Sequence, residues 1–400
     1  MKSNYKKLGQ FIRQVDVRNA ENRTENLLGV SVQKKFIPSI ANTVGTDFRK
    51  YKVVKRGQFT YIPDTSRRGD KIGIALLDEY DWGLVSNVYT VFEIIDKKQL
   101  IPEYLMLWFS RPEFDRYARY MSHGSVREIF DWDQMCSVEL PVPPYEEQLE
   151  IVRNYKTISE RIELKKKIND NLADMASTLF QKMFLSSSDK NQWPTGTFSN
   201  FIMSTVGGDW GQESPTGNYT QEVSCIRGTD IPSLNAGSIS SAPTRYILPK
   251  NFRSKRIKAD DLVVEISGGS PVQATGRIAL VPQQVLDYRG DKLICSNFCR
   301  VVTVDNIYLQ YFLQYWLYLY RAGRMFDYEN SSTGLKNFDF SSFVKNEPIH
   351  IPPRDIVQEY NRAVRPMYTQ LFSNGFEIET LEETQRHILP QIMHHGFSSR

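Results

Sequence analysis

The first candidate for chemistry is the run Val142-Pro143-Pro144-Tyr145, because a pair of prolines followed by Tyr can line a site for amino-group methylation. Such a site needs Asp, Asn or Ser before the prolines, since a side-chain oxygen must accept a hydrogen bond from the target amino group. Valine has no acceptor, and neither does Ile351 in the second copy, Ile351-Pro352-Pro353-Arg354. Both proline pairs precede a predicted helix, where proline is common at the first position. We interpret them as helix starts.

A second candidate is the acidic cluster Asp260, Asp261 and Glu265, because carboxylates around a metal ion are typical of nucleases. A nuclease of this kind also needs a lysine, and Ser267 occupies the position where a Glu-x-Lys arrangement would place it. The cluster is therefore predicted to be a solvated turn before a strand.

Cys295 and Cys299 lie four residues apart on one predicted strand, but no histidine is near them in sequence to complete a zinc site. They are predicted to be small buried apolar residues. The sequence has no Gly-x-x-x-x-Gly-Lys-Ser/Thr phosphate loop, so any use of ATP is predicted to belong to a partner. We assign no catalytic residue and no metal ligand.

Cations in polar, turn-like segments are the candidates for DNA contact, because phosphates attract Lys and Arg and base edges pair with them. In the first half of the chain these are Lys34, Lys35, Arg49, Lys50, Arg67, Arg68, Lys71 and Arg127. In the second half they are Arg245, Arg253, Lys255, Arg256, Lys258, Arg277 and Lys336. Arg127 and Lys336 are the strongest candidates, since each lies in a Gly-containing loop before a Phe-Asp-aromatic motif. Those motifs, Phe130-Asp131-Trp132 and Phe338-Asp339-Phe340, are predicted to be core anchors with a helix cap.

The composition is that of a globular protein, with 400 residues, 40% hydrophobic and 24% charged. These values exclude a disordered or collagen-like chain and predict two to four domains. The net charge of +4 neither marks nor excludes a nucleic-acid binder. The most apolar window, residues 311–320, is too short to span a bilayer, and no apolar segment follows the first residues. Four cysteines in so long a chain do not make a disulfide scaffold, so the chain is expected to be cytoplasmic.

The chain contains a weak internal repeat with an offset of about 203 to 210 residues, too long for a solenoid. Val85-Ser86-Asn87-Val88 matches Cys295-Ser296-Asn297-Phe298, and the two Phe-Asp-aromatic motifs and the two proline pairs match in the same order. Short runs rich in Val, Ile and aromatic residues predict strands at residues 57–62, 85–95, 261–267 and 293–304. Apolar spacings of three and four predict helices in each copy. Each half is therefore predicted to be an α+β globule followed by a helical tail.

The predicted boundaries are a first globule at residues 1–144, a helical tail at 145–189, a second globule at 190–353 and a second tail at 354–400. Apolar residues recur along both tails at helical spacing, and the stripe of the second is interrupted at Asn374 and Gln385. The two stripes favour pairing with each other. Pro366 should kink the second helix or split off a short leading piece.

The whole chain resembles the specificity subunits of type I restriction-modification enzymes. The resemblance rests on the two-copy layout and on three local runs. These are Leu140-Pro141-Val142-Pro143-Pro144-Tyr145-Glu146-Glu147-Gln148, Ser332-Thr333-Gly334-Leu335-Lys336-Asn337-Phe338-Asp339 and Leu389-Pro390-Gln391-Ile392. It implies an α+β fold in which two β-rich target-recognition domains alternate with two long helices that pair as an antiparallel coiled coil.

The resemblance also implies a division of labour. The chain would bind double-stranded DNA without catalysing a reaction, and each recognition domain would recognise one half of a bipartite, asymmetric site. Modification subunits with S-adenosylmethionine would dock on the helices, and a restriction subunit using ATP and Mg would join them. No cofactor is expected in this chain. The alternative is a helical adaptor that assembles partners but has lost specific DNA binding.

Overall fold

The computed structural model describes residues 5–39, 45–65, 71–122, 128–239, 241–268, 272–332 and 335–395. The chain divides into two compact units. The first comprises residues 1–160 with 383–400, and the second comprises residues 161–382.

The first unit is built mainly from short antiparallel strands and short helices. Its strands are β1 Tyr5–Lys7, β2 Ile12–Val15, β3 Leu28–Val30, β4 Phe36–Pro38, β5 Lys52–Lys55, β6 Phe59–Tyr61, β7 Ile74–Leu76, β8 Trp82–Val85, β9 Thr90–Ile94 and β10 Glu139–Pro141. Its short helices are α1 Pro102–Phe109, α2 Pro112–Met121 and α3 Trp132–Ser137. The long helix α4, Tyr145–Phe180, begins in this unit, and a π-helical turn extends it to Leu185.

The second unit repeats this mixture. Its strands are β11 Thr195–Thr197, β12 Ile202–Gly207, β13 Gln221–Ile226, β14 Thr244–Ile247, β15 Asp261–Glu265, β16 Ser267–Gly268, β17 Ile278–Val281, β18 Leu293–Cys295, β19 Cys299–Val304, β20 Glu329–Ser332, β21 Leu335–Phe338 and β22 Pro348–His350. Its helices are α5 Ile231–Asn235, α6 Pro249–Lys255, α7 Gln283–Arg289, α8 Leu309–Arg321, α9 Phe340–Asn346 and most of α10, Arg354–His395.

The four-stranded sheets of the two units have the same strand order. The first runs β2-β9-β6-β7 and the second runs β12-β19-β15-β17, both antiparallel throughout. Each unit also pairs its first strand with its last short strand, as β1-β10 and β11-β22. Equivalent strands therefore occur in equivalent order, which confirms the predicted duplication and the α+β class.

Two of the predicted strands are wrong, because each is divided by a tight turn. Within residues 85–95, strand β8 ends at Val85 and strand β9 begins at Thr90. Residues 293–304 likewise contain two strands, β18 and β19. Cys295 and Cys299 consequently lie on two different strands rather than on one. Both side chains are buried, as the sequence predicted.

The aromatic cores are formed where helices cover the sheets. In the first unit Phe59 of β6 stacks on Phe92 of β9, with ring centroids 4.9 Å apart. In the second unit the fully buried Trp316 of α8 donates its indole N–H to the carbonyl oxygen of Gly276 at 2.7 Å. A buried indole that makes its hydrogen bond adds a large apolar area without leaving a polar group unsatisfied.

The Phe-Asp-aromatic motifs have the predicted structural role. Phe130 and Phe338 are buried, and the aspartate that follows each of them caps a helix. Asp131 accepts a hydrogen bond from the Gln134 amide at 2.9 Å, and Asp339 accepts one from the Ser342 amide at 2.9 Å. Each cap satisfies a free N–H at the start of α3 or α9.

Helix α10 is continuous from Arg354 to His395, so of the two outcomes predicted for Pro366, a kink or a split, the split is wrong. Proline removes one backbone hydrogen bond from a helix interior. The flanking residues Tyr360, Val364 and Leu371 are all buried, and this packing holds the helix together through the proline.

Helices α4 and α10 pair antiparallel, as predicted. In the second unit Tyr360 donates its hydroxyl to the carbonyl oxygen of Ala176 at 3.1 Å, and Lys165 contacts Glu377 at 2.7 Å. Later residues of α4 thus contact earlier residues of α10, as in an antiparallel pair. The hydrogen bond from Lys165 holds the pKa of the Glu377 carboxyl below its ordinary value.

The two interruptions of the apolar stripe in α10 make polar contacts with α4. Asn374 donates to the side-chain oxygen of Asn169 at 2.9 Å, and both side chains are buried in the second unit. In the first unit Gln385 donates to the hydroxyl of Ser159 at 2.7 Å. Buried amide pairs of this kind favour one register, because any other register leaves the amides unsatisfied.

Candidate nucleic-acid interface

Most of the described cations predicted in the first globule are free to meet solvent. Lys35, Arg49, Lys50 and Lys71 are exposed, and Arg49 makes only a local contact with Asp47 at 3.1 Å. Arg67, Arg68 and Arg127 lie outside the described residues. The exposed cations are suited to phosphate contact, because an exposed guanidinium or ammonium keeps most of its attraction for an anionic backbone.

Lys34 has a different environment. It lies in the turn between β3 and β4, and its buried ammonium contacts the Asp115 carboxylate of α2 at 2.8 Å. It also donates to the carbonyl oxygen of Phe109. Burial lowers the pKa of the Lys34 ammonium, against the opposing effect of Asp115. In this arrangement Lys34 ties a turn to a helix and is withdrawn from a DNA phosphate.

The predicted cations of the second globule separate into an exposed group and a group fixed by the fold. Arg253, Arg256 and Lys258 are exposed on and just after α6, and the exposed Lys250, absent from the predicted set, belongs with them. Lys255 is half-buried and donates to the carbonyl oxygen of Gly208 at 2.7 Å. Residues 250–258 therefore form a basic segment of the second globule.

Arg245, Arg277 and Lys336 are fixed by the fold. The buried Arg245 donates to the carbonyl oxygen of Trp210 at 2.9 Å and lies over the Trp210 ring at 4.2 Å. Lys336 contacts Glu329 at 3.0 Å. These three cations hold loops in place, so we do not count them among the cations that are free to attract phosphate.

A cleft of about 740 Å³ opens in the second globule beside these fixed groups. Its wall combines Trp210, segment 227–229, the end of β15 with the start of β16, and the turn between β18 and β19. The residues that line it are Trp210, Arg227, Gly228, Thr229, Glu265, Ser267, Gly268, Gln273, Arg277, Ser296, Asn297 and Phe298. Amides, a guanidinium and aromatic rings are the groups that contact bases in proteins that bind nucleic acids.

An ion pair fixes one wall of the cleft. Arg277 of the β15–β17 pair donates to the two oxygens of Glu265 at 2.6 and 2.8 Å, and Glu265 is buried. The hydrogen bond to Glu265 raises the pKa of Arg277. A Cβ atom at Gly228 or Gly268 would lie 2.4 or 2.8 Å from the Glu265 carboxylate, so only glycine fits at both positions.

The rim of the cleft carries groups held in fixed orientations. Arg227 donates to the Asp230 carboxylate at 3.0 and 2.9 Å and to the carbonyl oxygen of Ser241 at 2.8 Å. Asn297 and Phe298 are exposed at the tip of the β18–β19 turn. The sequence prediction selected other cations and missed Arg227, Asn297 and Phe298 on this wall, although the repeated Ser-Asn-apolar run was a visible signal.

The acidic cluster Asp260, Asp261 and Glu265 contributes to the fold through buried hydrogen bonds. Asp260 lies in a turn with positive φ, but Asp261 and Glu265 are buried, so the prediction of a solvated turn is wrong for these two residues. Asp261 accepts hydrogen bonds from the Lys258 amide at 2.7 Å and the Thr303 hydroxyl at 2.6 Å. Among the residues that the structure describes, no group of three His, Cys, Asp or Glu side chains is placed to hold a metal ion.

Within the same described part of the chain, every helix is either too short or too polar to cross a membrane.

Comparisons with known proteins find similarity to the specificity subunits of type I restriction enzymes. The family model of the type I restriction modification DNA specificity domain matches residues 6–173. The type I restriction enzyme MjaIX specificity subunit of Methanocaldococcus jannaschii is 24% identical over 314 residues, which cover 75% of this chain and 70% of that protein.

A solved structure has a similar fold. The S subunit of a type I restriction-modification system from M. genitalium has a solved structure that is similar with a TM-score of 0.57 and 12% identity. The similarity covers 97% of this chain and 95% of that chain. Residues 6–173 of the chain are thus similar to the DNA specificity domain of type I restriction-modification enzymes, and the whole fold is similar to that of a solved S subunit.

Proposed function

We propose that this chain is a specificity subunit that recognises a bipartite, asymmetric DNA site, with one half bound by the first globule and the other half by the second. The observation that carries the proposal is the duplication. Two sheets with the same strand order occur in a chain whose loops differ, as recognition of two different half-sites requires. The exposed cations of both globules supply the phosphate attraction that every such complex needs.

The same proposal includes partners that perform the chemistry. Modification subunits with S-adenosylmethionine would methylate adenine, and a restriction subunit with ATP and Mg would cleave the DNA. Leu164, Ile168 and Met175 support docking on the helices, because these three large apolar side chains of α4 are exposed. Their spacing of four and seven residues places them on one face of the helix. This face is suited to burial against a modification subunit.

The test is modified-base sequencing of genomic DNA from cells with the gene intact and deleted. Deletion should remove one bipartite methylated motif. A third strain, in which residues 1–144 are exchanged for the recognition domain of another specificity subunit, should change one half of the motif and keep the other. The matched control exchanges residues 190–353 and should change the opposite half.

Two results would contradict the proposal. An exchange of residues 1–144 that changes both half-sites would show that the globules do not act separately. A purified chain whose DNA affinity shows neither sequence preference nor dependence on salt would favour the adaptor alternative, because phosphate contacts always make binding fall with added salt.

A further inference from the structure

The two globules share a turn that exposes an apolar side chain. The first turn is Ser86-Asn87-Val88-Tyr89, between β8 and β9, and the second is Ser296-Asn297-Phe298-Cys299, between β18 and β19. In both, the first carbonyl oxygen accepts a hydrogen bond from the fourth amide, at 3.0 Å in the first turn and 2.9 Å in the second. The same local structure is thus kept in two copies.

The side chains at the tips of both turns point to solvent. Asn87 and Asn297 are exposed. Val88 is 65% exposed and Phe298 is 55% exposed. One exposed apolar side chain on a protein surface is ordinary. Two of them at the same position of two copies, each preceded by an exposed amide, indicate a surface that contacts a partner.

The backbone of the second turn is held rigidly while its tip is free. The Phe298 carbonyl oxygen accepts from the Ile266 amide at 2.7 Å, and the Ser296 amide donates to Ile226 at 2.9 Å. A Cβ atom at Gly208 would lie 2.0 Å from the Ser296 carbonyl oxygen, so only glycine allows this close approach. In the first turn the Lys52 ammonium donates to the Tyr89 carbonyl oxygen at 2.8 Å. Such support reduces the entropy lost on binding.

The second turn also forms part of the cleft described above. Ser296, Asn297 and Phe298 all line it, together with Gln273 and Arg227. Ser296 is buried and its hydroxyl lies beside the Cys299 thiol, so Asn297 and Phe298 are the residues of this turn that a group entering the cleft can meet.

We propose that each turn contacts an adenine–thymine step in the major groove of its own half-site. The Asn amide matches adenine, because it offers one donor and one acceptor to the N7 and N6 atoms of the base. The apolar neighbour matches the thymine methyl group, which only the major groove presents. This assignment rests on the proposed function and adds to it the residues and the base pairs concerned.

The test is selection of bound duplexes from a random DNA library by the purified full-length chain. Asn87→Ala should relax one A·T position in one half-site and Asn297→Ala should relax one in the other, with the spacer unchanged in both. Affinity for the best duplex should fall by roughly 5- to 150-fold, the discrimination expected of a two-bond amide contact. Tyr120→Ala and Met203→Ala are controls, because these side chains are 82% and 73% exposed but lie outside the turns.

Two further measurements make the test specific. Asn297→Asp should shift the preference at its position from adenine toward cytosine, because a carboxylate accepts a hydrogen bond from the cytosine amino group. Replacing thymine by uracil at that step should weaken wild-type binding about fourfold, the value of one buried methyl group, but should not affect Phe298→Ala.

The outcomes separate the inference from the proposed function. A wild-type chain that selects a bipartite motif, with Asn87→Ala and Asn297→Ala selecting the same motif at the same affinity, would refute the role of the turns and keep the function. A wild-type chain that selects no motif would refute both. If Phe298→Ala leaves DNA binding unchanged but abolishes the binding of a protein, the turn contacts a protein partner instead of DNA.

Discussion

Gly375 of α10 lies directly against Gly237, in the loop that follows α5 of the second globule. A Cβ atom at Gly375 would be 2.1 Å from the Gly237 carbonyl oxygen, whereas ordinary contact begins at 3.4 Å. Gly375→Ala should therefore force the helix and the loop apart by about 1.3 Å, because the atom it meets is backbone and cannot rotate away.

The same loop is held to the helices by hydrogen bonds that this displacement would strain. The Ile239 amide donates to the Glu379 carboxylate of α10 at 2.9 Å, and Asn169 of α4 donates to the Ala236 carbonyl oxygen at 3.1 Å. Overpacking costs about 1–3 kcal/mol, and the hydrogen bond to the carboxylate adds about 1.5–3 kcal/mol if it is lost. Alanine is a better helix former than glycine by about 1 kcal/mol, which offsets only part of this cost. We expect a net loss of about 2 kcal/mol.

The assay is urea unfolding of the full chain followed by circular dichroism, with amide hydrogen exchange of residues 236–239 as the local readout. Exchange of those amides should accelerate in Gly375→Ala. Gly207→Ala is the control, because a Cβ atom there meets nothing within 4 Å and the backbone is not in the positive-φ region. A Gly375→Ala chain as stable as wild type, with unchanged exchange in the loop, would show that helix propensity dominates and that the contact does not hold the loop.

Three further predictions concern charges and thiols. Replacing both Arg256 and Lys258 by alanine should lower the slope of log affinity against log salt by about 2, whereas Lys156→Ala on the exposed face of α4 should leave the slope unchanged. Lys34→Met should destabilise the chain by about 3 kcal/mol in thermal unfolding, because Asp115 would stay buried without its ammonium, and Lys35→Met should have little effect. Burial raises the pKa of Cys225 and Cys299 to about 12, so a maleimide near pH 7.5 should label neither thiol before denaturation, as mass spectrometry of peptides can check.

The features that could be predicted from the sequence are those that depend on local pattern. The apolar spacing of the tails predicted two long helices, and the positions that break it, Asn374 and Gln385, are where the helices exchange polar contacts. The aspartates of the Phe-Asp-aromatic motifs were predicted to be caps because helix starts need acceptors nearby in sequence. The duplication and the order of the matched motifs can also be recognised in the sequence, although the two copies share few identical residues.

The turn at Ser296 was missed because the residues on both sides of it are typical of a strand. Residues 293–304 are rich in Val, Ile and Cys, and that composition is typical of one strand. Asn297 was the one local signal for a turn, since Asn tolerates turn conformations well. The division becomes clear only in the fold, where β18 pairs with β13 and β19 pairs with β12 and β15.

The burial of individual cations could not be predicted, because the partner is distant in sequence. Lys34 meets Asp115, which is on a helix that follows six further strands, and nothing in either segment signals the other. The same holds for Arg245 against Trp210. A count of cations in loops therefore mixes exposed side chains with side chains that brace the loops.

Under the proposed function, this distinction explains how one globule attracts DNA phosphates and also discriminates between bases. Attraction of phosphate needs charges that are free and tolerant of position, as in the exposed segment that contains Arg253 and Arg256. Discrimination between bases needs donors and acceptors held to within a fraction of an ångström, which exposed flexible cations cannot supply. The ion pair of Arg277 with Glu265 holds the cleft wall at the cost of a free charge. Substitutions of the exposed segment should thus weaken binding to all sequences alike, whereas substitutions around the cleft should alter which sequence is preferred.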